Sequence, residues 1–393
     1  MRRPILLVIG VFAVLLAVIV LLRFAVADQT STPTAGLKTP WGEPNLQGIW
    51  TDEHQTPLQR PAKYAGKEFF TDEERAALDA ERATIELRPR GERGSERDVA
   101  GAYNQVFMSV KRTGRRTSLI VDPPDGRTPP LTPDIQKQMA AEREYRLALL
   151  QATDTCKNKE QGCRGGKYGP PSPRQAEVPP RYSTANINRV DNPEDRSMSE
   201  RCMAAVLPDF GGFRRIVQSP GSVSIFYDVG QGQGWQRIIP VDGSPHLPRN
   251  IQQRFGDSRA RWEGETLVVD VTNFSSKSDF MGSRENRHLT ERWTRTGPDT
   301  IEYVVTIEDP GTWTKPWTVK QEYSRQNDQA NRIYYEPRCH DGNFGLPTML
   351  AGGRTLEKAF VQGKGPDPAT LDNVKGMETS EENTDPLAAA AAP

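Results

Sequence analysis

The sequence has no surplus of charge of either sign. Its 51 Lys+Arg balance 51 Asp+Glu, so it lacks the concentrated basic field that nucleic-acid binders use, and no nucleic-acid partner is expected. Residues suited to metals and nucleophilic chemistry are sparse: four cysteines and four histidines (His54, His246, His288, His340) in 393 residues. No C-x-x-C spacing occurs, so no metal site is expected. G-x-S-x-G, P-loop, dinucleotide-fingerprint and H-E-x-x-H motifs are also missing, which removes the common hydrolase, nucleotide and zinc-protease readings, and no cofactor is expected. Gly230-Gln231-Gly232-Gln233-Gly234 alternates glycine without a helix after it and reads as a hairpin loop rather than a phosphate cradle. With 32 Pro and 33 Gly, long regular helices cannot dominate. Loops and short strands can.

What is present begins at the N-terminus. Arg2 and Arg3 precede an uncharged apolar run at residues 5–22, followed by Ala25-Val26-Ala27. This pattern reads as a signal peptide or an uncleaved membrane anchor over residues 1–27, and either one exports the rest of the chain to the periplasm, tethered or free. An even cysteine count suits an exported protein. Three pairings are open; the expected one joins Cys156 to Cys163 and Cys202 to Cys339.

Residues 28–44 read as a flexible tether and residues 45–362 as one β-rich domain with a helical and irregular insertion at 71–200. Residues 363–393 read as a disordered tail. Within the insertion, Thr71-Asp72-Glu73-Glu74 forms a capping box for a helix over 75–87. Thr132-Pro133 starts a second helix ending near Gln151. From residue 216 the texture is β: short alternating runs at 216–218, 222–229, 236–241, 259–274, 289–308, 317–324 and 332–337, divided by Pro-Gly, Asp-Gly and Gly-rich breaks. Asn45-Leu46-Gln47-Gly48-Ile49-Trp50 opens a first strand. The fold class is therefore mainly β, an antiparallel meander curled into a barrel or strongly curved sheet, with two peripheral helices and long irregular loops.

Several longer words carry a resemblance. They are Thr117-Ser118-Leu119-Ile120-Val121-Asp122-Pro123-Pro124-Asp125-Gly126-Arg127, Ile216-Val217-Gln218-Ser219-Pro220-Gly221, Arg261-Trp262-Glu263-Gly264-Glu265-Thr266-Leu267-Val268-Val269-Asp270, Thr306-Ile307-Glu308-Asp309-Pro310 and Cys339-His340-Asp341-Gly342-Asn343-Phe344-Gly345-Leu346-Pro347. From about Trp41 to Arg354 the chain resembles a large family of exported, mostly uncharacterised bacterial proteins. Glu265 and Asp341 stand where that pattern has Asp and Glu. The resemblance implies export and brings no activity with it. Gly48-Ile49-Trp50 is also similar to the Gly-x-Trp that opens lipocalin-like barrels, whose Trp plugs one barrel end. That likeness implies a barrel able to hold an apolar ligand.

The candidate catalytic residues are His340, Asp341, Asp257, Glu291 and His288. His340 and Asp341 follow a cysteine in a loop that a disulfide would pin, and an imidazole there suits acid–base work. Asp257 opens the central hairpin near His246, as an acid, an orienting carboxylate or a turn residue paired to Arg259 or Arg261. His288, Thr290 and Arg292 alternate with Leu289, Glu291 and Trp293, so one set faces the lumen. An inward Glu291 would be a buried carboxylate of raised proton affinity; otherwise His288 points inward. Glu308-Asp309 closes the next strand as a pair of carboxylates near one rim. Trp50, Trp262, Trp293, Trp313 and Trp317 are the candidate ligand contacts. The reading is an exported barrel that binds a small apolar molecule. The alternatives are an acid–base enzyme of hydrolase, isomerase or cyclase type, and a cell-envelope interaction module.

Overall fold

The computed structural model describes residues 37–52, 54–86, 111–182, 187–198, 200–203, 206–228, 234–326, 339–340 and 342–374. The N-terminal apolar run, the strand expected at 332–337, Asp341 and residues 375–393 lie outside the described residues. The chain divides into two units, Met1–Asn45 and Leu46–Pro393. Within the first, residues 37–45 form a tight turn: Thr39 N–H donates to Glu43 O (2.8 Å) and Asn45 N–H to Leu37 O (3.0 Å).

The second unit is mainly β, with a nearly closed antiparallel barrel of nine strands. They are β1 (Gly48–Thr51), β2 (Phe213–Ser219), β3 (Ser222–Asp228), β4 (Gly234–Pro240), β5 (Asp257–Glu263), β6 (Thr266–Thr272), β7 (His288–Gly297), β8 (Thr300–Glu308) and β9 (Trp317–Arg325). Period-two alternation decides the faces. On β8, Ile301, Tyr303, Val305 and Ile307 are buried and point inward; β9 does the same with Trp317, Val319, Gln321 and Tyr323. The hairpins expected at 259–274 and 289–308 form with their turns at Gly264 and Gly297-Pro298-Asp299.

Two features depart from a plain meander. β1 does not lie beside a sequence neighbour; it pairs antiparallel with both β2 and β9 and so joins the two halves of the barrel. β4 and β5, which are consecutive in the barrel, share no ladder. Among the described residues the sheet is open along that seam, and the intervening chain, residues 241–256, crosses over there instead of turning tightly.

The two expected helices are present as α1 (Asp72–Glu86) and α2 (Pro133–Leu150). Thr71 and Glu74 make the reciprocal capping box, Glu74 N–H to Thr71 Oγ1 at 3.2 Å and Thr71 N–H to Glu74 Oε2 at 2.8 Å. Besides a single helical turn at Asp154–Lys157, a further long helix, α3 (Gly345–Val361), follows the second disulfide. Its three glycines and Pro347 hide the helical period in the sequence. Residues 363–374, read as the start of a disordered tail, instead fold back: Asn188 Nδ2 donates to Leu371 O (3.1 Å) and Asn373 N–H to Asn188 Oδ1 (2.7 Å). Arg196 Nη2 also donates to Asn373 O (3.2 Å) and Thr155 Oγ1 to Asp372, and polar composition gave no sign of these distant partners. Both expected disulfides form, Cys156–Cys163 and Cys202–Cys339. No helix among the described residues is long and apolar enough to cross a membrane.

Candidate functional site

The lumen is filled rather than open. Trp50, Trp293, Trp313 and Trp317 are at most 2% exposed. Trp293 lies against Tyr303 (ring centroids 4.3 Å) and Tyr323 (6.1 Å), and Trp313 meets Trp317 edge-on at 5.3 Å. Trp50 donates its Nε1–H to Leu46 O at 2.9 Å. Of the five expected ligand-contact tryptophans, these four are core packing, and Trp262 is partly buried against the same core. A side chain without exposed surface offers nothing to a solvent-borne ligand.

The register question resolves inward for Glu291. Its carboxylate, fully buried, receives Arg237 Nη1 at 2.7 Å and the Tyr303 hydroxyl at 2.9 Å. Arg237 also donates to the Tyr227 hydroxyl (3.3 Å) and, across the seam, from Nε to Ser258 Oγ (2.8 Å). Arg214 stacks on Tyr227 at 4.5 Å and pairs with Asp209 at 3.2 Å. Burial pushes the Tyr227 phenol up to about 12 and holds Tyr303 well above its ordinary value. Both oxygens of Glu291 are occupied and the side chain has no exposed surface, so this network ties β3, β4, β5, β7 and β8 to one another, with Arg237 Nη2 its one unpaired donor among these contacts.

His288 therefore points outward, and there the sequence candidates meet. His288 Nε2 lies 2.7 Å from Asp270 Oδ2 and its Nδ1 3.1 Å from Glu308 Oε2. The other oxygen of Asp270 is 2.7 Å from His246 Nε2, and His246 Nδ1 is 2.8 Å from Asp257 Oδ2. The five side chains form one alternating relay, Asp257–His246–Asp270–His288–Glu308. Strand direction assembles it. β5 and β7 start, and β6 and β8 end, at the same barrel rim, so Asp257, Asp270, His288 and Glu308 share an edge, and the 241–256 crossover delivers His246 to it. The hydrogen bond to Asp270, reinforced by Glu308, raises the His288 imidazole to about 9; the bond from His288 lowers the Asp270 carboxyl. The described residues contain no cluster of three or more His, Cys, Asp or Glu arranged to hold a metal.

The relay ends at the seam. A cleft of about 300 Å³ opens between β4 and β5, lined by Trp235, Arg237, Ile238, Leu247, Phe255 and Asp257 among others. Phe255 stacks on Trp235 (3.8 Å), which stacks on Tyr227 (4.1 Å). This size is at the lower end for small-molecule sites. Asp257 takes His246 (2.8 Å), the Leu247 N–H (2.9 Å) and Arg259 (3.0 Å), so the expected pairing with Arg259 is present.

Of the expected catalytic residues, the structure brings Asp257 and His288 together and sets Glu291 apart in the lumen. His340 is exposed beside the Cys202–Cys339 disulfide, and none of the described hydrogen bonds ties its side chain to the relay. Asp270 and Arg237 are the main residues that sequence reasoning missed, and His246 was noted there only as a neighbour of Asp257. Asp270 interrupts the apolar word Leu267-Val268-Val269 on the outward phase, opposite Arg259, and that charged break at a strand end was the available signal. No protein-family model matches the chain, and no curated protein matches it.

Proposed function

We propose that the protein is an exported β-barrel that binds a small, largely apolar molecule in the seam between β4 and β5. The observation that carries this reading is the seam itself. Every other pair of neighbouring barrel strands is laddered, whereas here a cleft of about 300 Å³ has apolar walls at Trp235, Ile238, Pro240, Leu247 and Phe255 and polar ones at Gln236, Arg237, Gln253, Asp257, Ser258 and Arg259. The lumen is filled with side chains, so the seam is the better host. Two disulfides and the basic-then-apolar N-terminus support export. The test is native mass spectrometry of the oxidised full chain incubated with envelope lipid extract. A discrete adduct is expected. Ile238 is exposed on the outer face of β4, so Ile238→Glu should keep the fold and abolish the adduct; an adduct untouched by that change would refute the seam.

One observation favours a second reading, an acid–base enzyme on the same scaffold: the relay of alternating carboxylates and imidazoles terminates in the cleft wall at Asp257. That reading predicts a changed ligand mass after incubation, with turnover lost in Asp257→Asn while the adduct survives. A ligand that binds and leaves unaltered by the wild-type chain decides against it.

A further inference from the structure

The crossover at residues 241–256 is held in two different ways. Its second half is tied by backbone and packing: Gln253 N–H donates to Asn273 O (2.8 Å), Ser275 N–H to Gln253 O (2.8 Å), and Phe255 stacks on Trp235. Its first half starts from one backbone bond, Val241 N–H to Gly221 O (2.8 Å), keeps a neutral one from Asn273 Nδ2 to Pro248 O (3.3 Å), and between them is tied mainly through ionisable side chains. His246 bridges Asp257 and Asp270, the Leu247 N–H rests on Asp257, and Arg259 Nε donates to Pro245 O at 2.9 Å. Asn273 Nδ2 adds a neutral bond to Leu247 O at 2.8 Å. Leu247 is also a wall of the seam cleft.

The bridge has a strict proton requirement. Both ring nitrogens of His246 lie within 2.8 Å of carboxylate oxygens on different strands. An imidazolium donates from both nitrogens; a neutral imidazole donates from one and turns the other's lone pair toward an anion. Losing the ring proton therefore removes one charge-assisted hydrogen bond and replaces it with repulsion. The charged groups bonded to His246 or to its two carboxylates each have a defined part. Asp257 and Asp270 attract it. Arg259 neutralises the far oxygen of Asp257, and His288 shares Asp270 with it while leaning on Glu308. Asp242 and Arg249 lie on its own segment and add opposite charges.

We propose that His246 is a protonation-controlled latch: charged, it pins residues 243–250 to the rim and completes the cleft, and neutral, it lets that segment swing out and release the occupant. The release half of this inference rests on the seam being the ligand site. The latch half does not. Opening is confined to the first half of the crossover because the backbone bonds of Gln253 and the Phe255 stack carry no titratable group. Ligand retention then weakens as pH rises.

Two measurements on the full chain separate the parts. The first is hydrogen exchange without ligand over a pH series, corrected for intrinsic exchange chemistry, alongside the His246 ring signal by NMR. The Leu247 amide should lose protection by about tenfold or more in step with deprotonation of His246, a factor set by one charge-assisted bond. His246→Gln should be open at every pH with no step, while His288→Gln keeps the step. Protection that does not change with pH, or a step that survives His246→Gln, overturns the latch. The second is binding of 1-anilinonaphthalene-8-sulfonate, with Ile238→Glu to identify the cleft component. Affinity for that component should fall about tenfold across the same pH interval. A latch step with no Ile238-sensitive dye binding means that the seam reading fails and the latch stands; Ile238-sensitive binding of constant affinity refutes control of the cleft by His246.

Discussion

The lumen and the rim of this barrel use the same chemical groups to opposite ends. In the lumen, Arg237, Glu291, Tyr303 and Tyr227 are fully surrounded and answer one another at 2.7–3.3 Å. At the rim, Asp257, His246, Asp270, His288 and Glu308 are linked just as closely, yet most of them remain partly hydrated. Charge placed where water cannot reach has one acceptable arrangement and acts as rigid filler. Charge at a hydrated edge keeps two protonation states within reach, so its contacts can be broken and remade. The difference teaches that a candidate acid or base should be judged by what its surroundings leave free, not by its residue type.

Four outcomes would sharpen or break this contrast. The largest belongs to the lumen. Glu291→Ala strands the Arg237 guanidinium in the core and should cost about 3–5 kcal/mol in urea unfolding. Replacing both partners with apolar residues of similar volume should recover much of that loss, because no buried charge is left without its partner. At the rim, Asp270→Asn weakens two hydrated charge-assisted bonds and should cost about 1–2 kcal/mol at neutral pH. Equal costs at the two places would erase the distinction.

The third outcome concerns pH. The folded value of His288 is raised from 6.5 to about 9, so its contribution is complete below 6.5 and disappears as pH climbs through about 9. Asp270 is shifted the other way; its contribution is present above its ordinary value and is lost as pH falls. Unfolding free energy should therefore sag at alkaline pH in the wild type, and His288→Gln should remove that part of the sag. The smallest effect is expected from Ile238→Glu on the outer face of β4. It should change stability by no more than about 0.5 kcal/mol while abolishing binding at the seam.

Much of the barrel was legible because alternation is a local signal. The Leu289-Glu291-Trp293 phase on β7 and the Ile301-Tyr303-Val305-Ile307 phase on β8 announce strands and their turns. Which β7 phase faces inward was not legible, because each contains ionisable residues and the deciding partner, Arg237, is 54 residues away. The insertion of β1 between β2 and β9 and the missing ladder at β4–β5 are properties of distant hydrogen bonds, and no short word encodes them. The site was half legible for the same reason. Asp257 and His288 stand at recognisable strand ends, but their link runs through His246, a lone histidine in a loop between prolines.

The most direct test of the account is hydrogen-exchange footprinting of the oxidised full chain with and without envelope lipid extract. The account predicts new protection in residues 234–259, on both sides of the seam, with residues 289–293, 301–307 and 317–323 unchanged because the lumen is already filled. Protection spread along those lumen strands, with the seam unaffected, would contradict it.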